Sequence, residues 1–190
     1  MGINPIRIMG NWDEGYALDI HTIKGTPIGQ DMYGHMKYDT ERSEMGELLY
    51  GFKYKGIYDN LQGILNLAKP FLDKWEALKT VDIVLPVPAS KERDYQPAVE
   101  IAKSIAAYLN VSYTDEVLRK ITEKQSKDMD RDKKEMRGAI IAVKKVKKPH
   151  TVLLVDDLYS TGETLKECVR VLKQDKKIGR IYVLTMTKTR

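Results

Sequence analysis

Apolar residues in the last two thirds of the chain fall into short runs at regular intervals: VDIVLPV at 81–87, GAIIAV at 138–143, TVLLV at 151–155 and IYVLTM at 181–186. Each is short, rich in β-branched residues and without polar alternation, which predicts strands buried on both faces. Between them the period changes. Ala98, Ile101, Ala102, Ile105, Ala106 and Leu109 recur at helical spacing behind Pro97, which suits a first helical position. Leu165, Cys168, Val169 and Leu172 repeat i, i+3, i+4, i+7 and predict a second helix. Leu61, Ile64, Leu65, Ala68 and Leu72 predict another ahead of the first of these strands, with Pro70 distorting its last turn. Strands alternating with helices predict an α/β fold with a mostly parallel central sheet flanked by helices.

The first 55 residues do not share this rhythm. GYALDIHTI and DMYGHMKYDT read as short strands separated by turns in a glycine-rich, aromatic stretch. The expected organisation is therefore a β-rich hood or subdomain at 1–55 and an α/β domain at 56–190. The segment 119–137 holds eight Lys or Arg and five Asp or Glu with few apolar residues, the composition of a loop between strands.

The chain has 190 residues, 42% of them hydrophobic and 31% charged. That balance, with no long apolar run, fits a globular domain and no membrane span. MGINPIRIMGNWDEG has no basic stretch followed by an apolar run, so the expected location is cytoplasmic. Cys168 is the only cysteine, which excludes an internal disulfide and a zinc site built on paired cysteines. A net charge of +5 suits either nucleic acid or a small polyphosphate substrate and does not choose between them.

The stretch TVLLVDDLYSTGET at 151–164 carries the most chemical information. An apolar strand runs into two carboxylates, Asp156 and Asp157, and ligands of open α/β sheets bind beyond the carboxyl ends of strands. Carboxylates accept hydrogen bonds from vicinal hydroxyls such as those of a ribose. Leu158 and Tyr159 continue the turn. Ser160, Thr161, Gly162, Glu163 and Thr164 then combine backbone N–H groups, hydroxyls and the positive end of a helix, which suits a phosphate. The structural alternative is a capping box formed by Ser160 and Glu163. Adjacent carboxylates at a strand end repel each other, which favours the ligand reading. Neither of the common glycine-rich phosphate patterns, G-x-x-x-x-G-K-[ST] or G-x-G-x-x-G, occurs.

VLLVDDLYSTGET resembles the binding signature for 5-phosphoribosyl 1-diphosphate (PRPP) of the type I phosphoribosyltransferases. IVLPVPASKER at 83–93, RDYQ at 93–96, Arg119, Thr122, Gln125, Arg131 and Arg137-Gly138, GELLYGFKYKG at 46–56 and the closing VLTMTKT are similar to segments of its ComF-like (competence protein F) branch. The chain lacks the cysteine-rich zinc ribbons that such proteins often carry, and Asp94 stands where the branch has glycine. The resemblance implies the type I phosphoribosyltransferase fold and transfer of phosphoribose from PRPP to a nitrogen acceptor, with Mg²⁺ held mainly by PRPP. It implies that Asp156 and Asp157 hold the ribose hydroxyls, that Ser160 to Thr164 hold the 5′-phosphate with Leu158 and Tyr159 also at the PRPP site, and that Ala89, Ser90, Lys91, Arg93 and Arg131 attend the pyrophosphate. The acceptor is not legible, and a homodimer is an expectation from the fold's relatives. The alternatives are a PRPP- or nucleotide-sensing protein without transfer, and a basic DNA-handling accessory of competence type. His21, His35 and His150 are assigned no role, and Cys168 reads as a packed core thiol.

Overall fold

The computed structural model describes residues 2–89, 95–121, 140–146 and 148–190. Strands β1 (Ile6–Arg7), β2 (Glu14–Ile20), β3 (Thr22–Gln30) and β4 (Met36–Arg42) precede helices α1 (Glu44–Tyr54) and α2 (Asn60–Leu72). A 3₁₀ turn (Glu76–Thr80) leads into β5 (Ile83–Pro86), α3 (Pro97–Leu109), β6 (Ser112–Tyr113) and β7 (Leu118–Lys120). The chain closes with β8 (Ile140–Ala142), β9 (His150–Tyr159), α4 (Glu163–Leu172) and β10 (Ile178–Lys188).

Six strands form the central sheet in the order β1-β2-β10-β9-β5-β6. All neighbours in it run parallel except β1 and β2, so the expected mostly parallel sheet is present. Alternation along β9 divides the core. Leu153 and Val155 join the cluster under α1, α2 and α3, with Met45, Leu49, Ile64 and Ile101. Val152 and Leu154 join the cluster under α4, with Leu165, Cys168, Val169 and Leu172. Because a strand's side chains alternate between faces, every further residue of β9 is assigned a side by its parity.

Three expectations need correction. First, the sheet does not respect a boundary at residue 55: β2 lies beside β10, with Gly15 opposite Val183 and Asp19 opposite Thr187. Ala17 and Leu18 are fully buried, one in each core cluster, so the N-terminal strand completes the α/β domain. Only β3 and β4 stand apart, as their own two-stranded ladder. Second, residues 44–54 are helical. Ser43 caps α1 by accepting the Gly46 N–H at 3.0 Å, and its hydroxyl donates to the Ile20 carbonyl. Gly46 lets the helix touch the preceding strand, since a Cβ there would lie 2.2 Å from the His21 carbonyl oxygen. Third, the run at 138–143 does not enter the central sheet. Its described part, β8, pairs antiparallel with β7 in a separate ladder, and residues 138 and 139 lie outside the described residues. Among the described residues no helix is long and apolar enough to cross a membrane.

Candidate functional site

The strand β9 runs four residues beyond the apolar segment that announces it, to Tyr159, so both carboxylates lie on extended backbone inside the sheet. Parity sends them to opposite faces. Asp157 follows Leu153 and Val155 toward α1, and Asp156 follows Val152 and Leu154 toward α4. Both nevertheless reach one cleft of about 440 Å³ at the carboxyl edge of the sheet, together with Leu158 and Thr164. Its far wall is Val87, Pro88 and Ala89 after β5 and Gln96 and Pro97 at the start of α3; Lys53 and Tyr54 from α1 close it. Two carboxylates, a helix N-terminus and a lysine thus surround a space fit for a small polyhydroxylated anion.

Asp157 is buried and ion-paired, with the Lys53 ammonium 2.6 Å from its Oδ2. Asp156 Oδ1 accepts the backbone N–H of Asp157 at 2.8 Å. Burial pushes the Asp156 carboxyl up to about 7, and the charge of Asp157 adds to the rise against the opposing pull of that N–H, Lys53 and Lys120. His21 sits behind this group at the root of β3. Its Nδ1 is 3.1 Å from the Thr187 hydroxyl, and burial followed by the nearby charges of Arg42 and Lys53 lowers its basicity.

In the turn after β9, Gly162 is left-handed, at φ +76°. The capping box does not form: the N-cap is Gly162, without a side-chain cap bond, and Glu163 turns outward to Lys166 at 2.9 Å. The first turn of α4 therefore presents its N–H groups at the cleft edge, with only Glu163 N within 3.4 Å of the Thr161 hydroxyl. Ser160 and Thr161 are exposed beside it. The Tyr159 ring lies over Gly162 and packs on the α4-side core, so it is a packing residue and not an open stacking surface. A Cβ at position 162 would come within 2.8 Å of that ring. Gly162→Ala is therefore expected to destabilise the protein by about 1–3 kcal/mol, from left-handed backbone strain plus displacement of Tyr159. Thermal unfolding checks this, and a melting temperature equal to wild type would refute it.

Ala89 lines the cleft as expected. Ser90, Lys91, Arg93 and Arg131 lie outside the described residues, as do Thr122, Gln125 and Arg137. Cys168 is fully buried and burial raises its thiol pKa, in keeping with a core thiol. Sequence reasoning assigned no role to Lys53. The usable signal was the spacing of Met45, Leu49 and Phe52, which defines α1 and places Lys53 in its last turn. Among the described residues there is no cluster of three or more His, Cys, Asp or Glu able to hold a metal.

Comparison with known proteins adds an independent line. Residues 96–184 match the family model of the phosphoribosyl transferase domain. The chain is 25% identical to competence protein ComFC of Bacillus subtilis (strain 168) over 155 residues, 79% of this chain and 62% of that protein. It thus spans less than two thirds of that relative. Superposition on glutamine phosphoribosylpyrophosphate (PRPP) amidotransferase from B. subtilis covers 82% of this chain and 34% of that one, at a TM-score of 0.50 and 21% identity. Adenine phosphoribosyl transferase from Trypanosoma brucei superposes over 97% of this chain and 74% of its own, with a TM-score of 0.49 and 14% identity.

Proposed function

We propose that this chain, which belongs to the type I phosphoribosyltransferase family and is ComF-like, binds PRPP and transfers its phosphoribosyl group to a nitrogen acceptor. The observation that carries the reading is the convergence of Asp156, Asp157, Lys53 and the N-terminal turn of α4 on one cleft. In this reading the ribose hydroxyls donate to Asp156 and Asp157, and the 5′-phosphate sits in the turn from Leu158 through Ser160, Thr161, Gly162 and Thr164. Pyrophosphate extends toward Ala89, Ser90 and Lys91, with Arg93 and Arg131 as further cationic partners. Within residues 1–55 the part that could serve as a hood is the separate ladder of β3 and β4.

Transfer forms a bond from the acceptor nitrogen to C1 of the ribose and breaks the bond from C1 to the diphosphate oxygen. The proton leaves the acceptor nitrogen for solvent. No covalent enzyme intermediate is required, so rate acceleration rests on orientation and on stabilising charge as pyrophosphate departs. Carboxylate oxygens are the hard donors that Mg²⁺ accepts, and two of them with PRPP oxygens suit an ion held mainly by its substrate. Bound there, Mg²⁺ would neutralise charge on the departing diphosphate. The residues of this chain fix the sugar from below, while Lys53 balances the charge of Asp157.

Offered Mg²⁺, PRPP and a panel of purine, pyrimidine and simple amine acceptors, the protein is expected to release pyrophosphate with at least one of them. PRPP binding without release from any would support the second reading, a PRPP- or nucleotide-sensing or DNA-handling accessory, which the similarity to competence protein ComFC favours. Absence of both binding and release would remove the PRPP reading altogether.

A further inference from the structure

The hairpin of β3 and β4 is amphipathic, and among the described residues nothing covers its outer part. Its cross-strand pairs assign faces, since directly opposed residues of an antiparallel pair share a side. Tyr38 lies opposite Pro27, Met36 opposite Gln30 and Thr40 opposite Gly25 on one face. Lys37, Asp39 and Glu41, opposite Gly29, Thr26 and Lys24, form the other. At the root the first face meets the domain, where the Arg42 guanidinium rests 3.8 Å over the Tyr50 ring of α1. Farther out on this face Met36 and Tyr38 are 45% and 56% exposed; Ile28 in the bulge, and Met32 and Tyr33 at the tip, are 64%, 88% and 77% exposed. An isolated two-stranded hairpin is marginal in water, and clustered exposed apolar residues on it suit a contact surface.

The two edges of this ladder differ. On β3, Pro27 lacks an N–H, and Gly29 sits at φ +125° beside a bulge, features that blunt an edge against further pairing. On β4, MKYDTER runs from 36 to 42 without proline or glycine. A twofold antiparallel pairing of this edge with itself can centre on Lys37, Tyr38, Asp39 or Thr40. Centring on Lys37 or on Asp39 sets a like-charged pair at the axis, and centring on Thr40 sets Asp39 against Glu41. Centring on Tyr38 sets each Lys37 against the copy's Asp39, each His35 against Glu41 and each Met36 against Thr40, with the two tyrosines facing at the axis. Of the four registers, this one alone opposes no like charges.

We propose that the β4 edge is an interface with a second copy of this chain, paired antiparallel about Tyr38 into a four-stranded sheet. The apolar faces of the two hairpins then form one continuous surface of Met36, Tyr38 and Pro27 from each copy. A seven-residue edge with one hairpin face buries on the order of 1,000 Å² in total, at the low end of specific interfaces, which suits a weak, concentration-dependent dimer.

Sedimentation of the full chain from about 2 to about 300 μM is expected to show a monomer converting to a dimer with a Kd of about 1–100 μM. Tyr38→Glu, which opposes two carboxylates at the axis, is expected to weaken dimerisation at least tenfold while the circular dichroism spectrum stays that of wild type. The register is read by cysteine variants under mild copper oxidation, because Cys168 is buried and does not compete. Tyr38→Cys is expected to form a disulfide-linked dimer, and Glu41→Cys, whose partner is His35, is not. Should Tyr38→Glu fail to fold, the cross-linking pair still decides. A monomer across the whole range, a dimer indifferent to Tyr38→Glu, or equal cross-linking at 38 and 41 would overturn the proposal.

Discussion

Replacing Asp156 and Asp157 together by Asn is expected to weaken binding of Mg²⁺ and PRPP by at least about 100-fold in a calorimetric titration. A hydrogen bond to a charged group contributes about 1.5–3 kcal/mol, so two of them correspond to about 3–6 kcal/mol, or roughly 10²–10⁴ in Kd. The substitution is nearly isosteric, and an amide can still accept a hydroxyl proton, so the loss measures charge more than shape. Lys53 works against the loss. Its ammonium, 2.6 Å from Asp157, would face an amide in the variant and attract the phosphates of the ligand more strongly, so the expected weakening is net of that gain. A double variant that stays folded and binds PRPP like wild type would remove the carboxylates from the ligand site and the phosphoribosyl reading with them.

Asp156→Asn alone is expected to stabilise the protein above neutral pH. The Asp156 carboxyl is raised to about 7 in the folded state by burial and by Asp157, against about 3.9 in an unfolded chain. Between those values the folded state holds a proton that the unfolded state has released, so the contribution of this group to stability is complete below about pH 4 and is lost as pH rises through 7. The full difference corresponds to about 4 kcal/mol, and access of water from the cleft reduces this to about 2 kcal/mol. Asn carries no charge to desolvate and can still accept the Asp157 N–H. Its melting temperature should exceed that of wild type by about 4–8 °C at pH 8 and match it near pH 4. Equal melting temperatures at pH 8 would show that Asp156 is not under electrostatic stress.

The two aspartates are not equivalent. Parity along β9 puts them on opposite faces of the sheet, one against α1 and the other against α4, and the Lys53 ammonium forms its ion pair with Asp157. The DD dipeptide by itself suggests two equivalent side chains at a rim. The extension of β9 to Tyr159 is what distinguishes them. That extension depends on β10, whose residues Thr185, Thr187 and Lys188 pair with Asp156, Leu158 and Tyr159, and no window of sequence around the motif contains it.

The helix α1 shows the opposite failure, a local signal outweighed by another local signal. Gly46, Gly51 and Gly56 and four aromatic residues in the 46–58 stretch argue for turns and strands, and glycine in a helix costs about 1 kcal/mol against alanine. Here Gly46 and Gly51 are selected by close packing, against the His21 carbonyl and the Asn60 side chain. Burial of Met45, Leu49 and Phe52 outweighs the propensity. With α1 in place, Lys53 and Tyr54 reach the cleft from about 100 residues away in the chain.

The amino-acid sequence alone determined the alternation of strand and helix, the parallel character of the sheet, the core helices α3 and α4 and the position of the turn between β9 and α4. Each of these follows from a periodicity or composition that neighbouring residues carry: the runs at 81–87, 151–155 and 181–186, the i, i+3, i+4 spacing behind Pro97 and Thr164, and the small residues Ser160, Thr161 and Gly162. The tertiary structure decided which residues meet across the cleft. It brought β2 beside β10, turned Asp156 and Asp157 to different faces, set Lys53 against one of them and raised the acid–base equilibrium of the other. These outcomes depend on burial and on charges distant in sequence, and such terms exist only once long-range packing has excluded water from between the groups concerned.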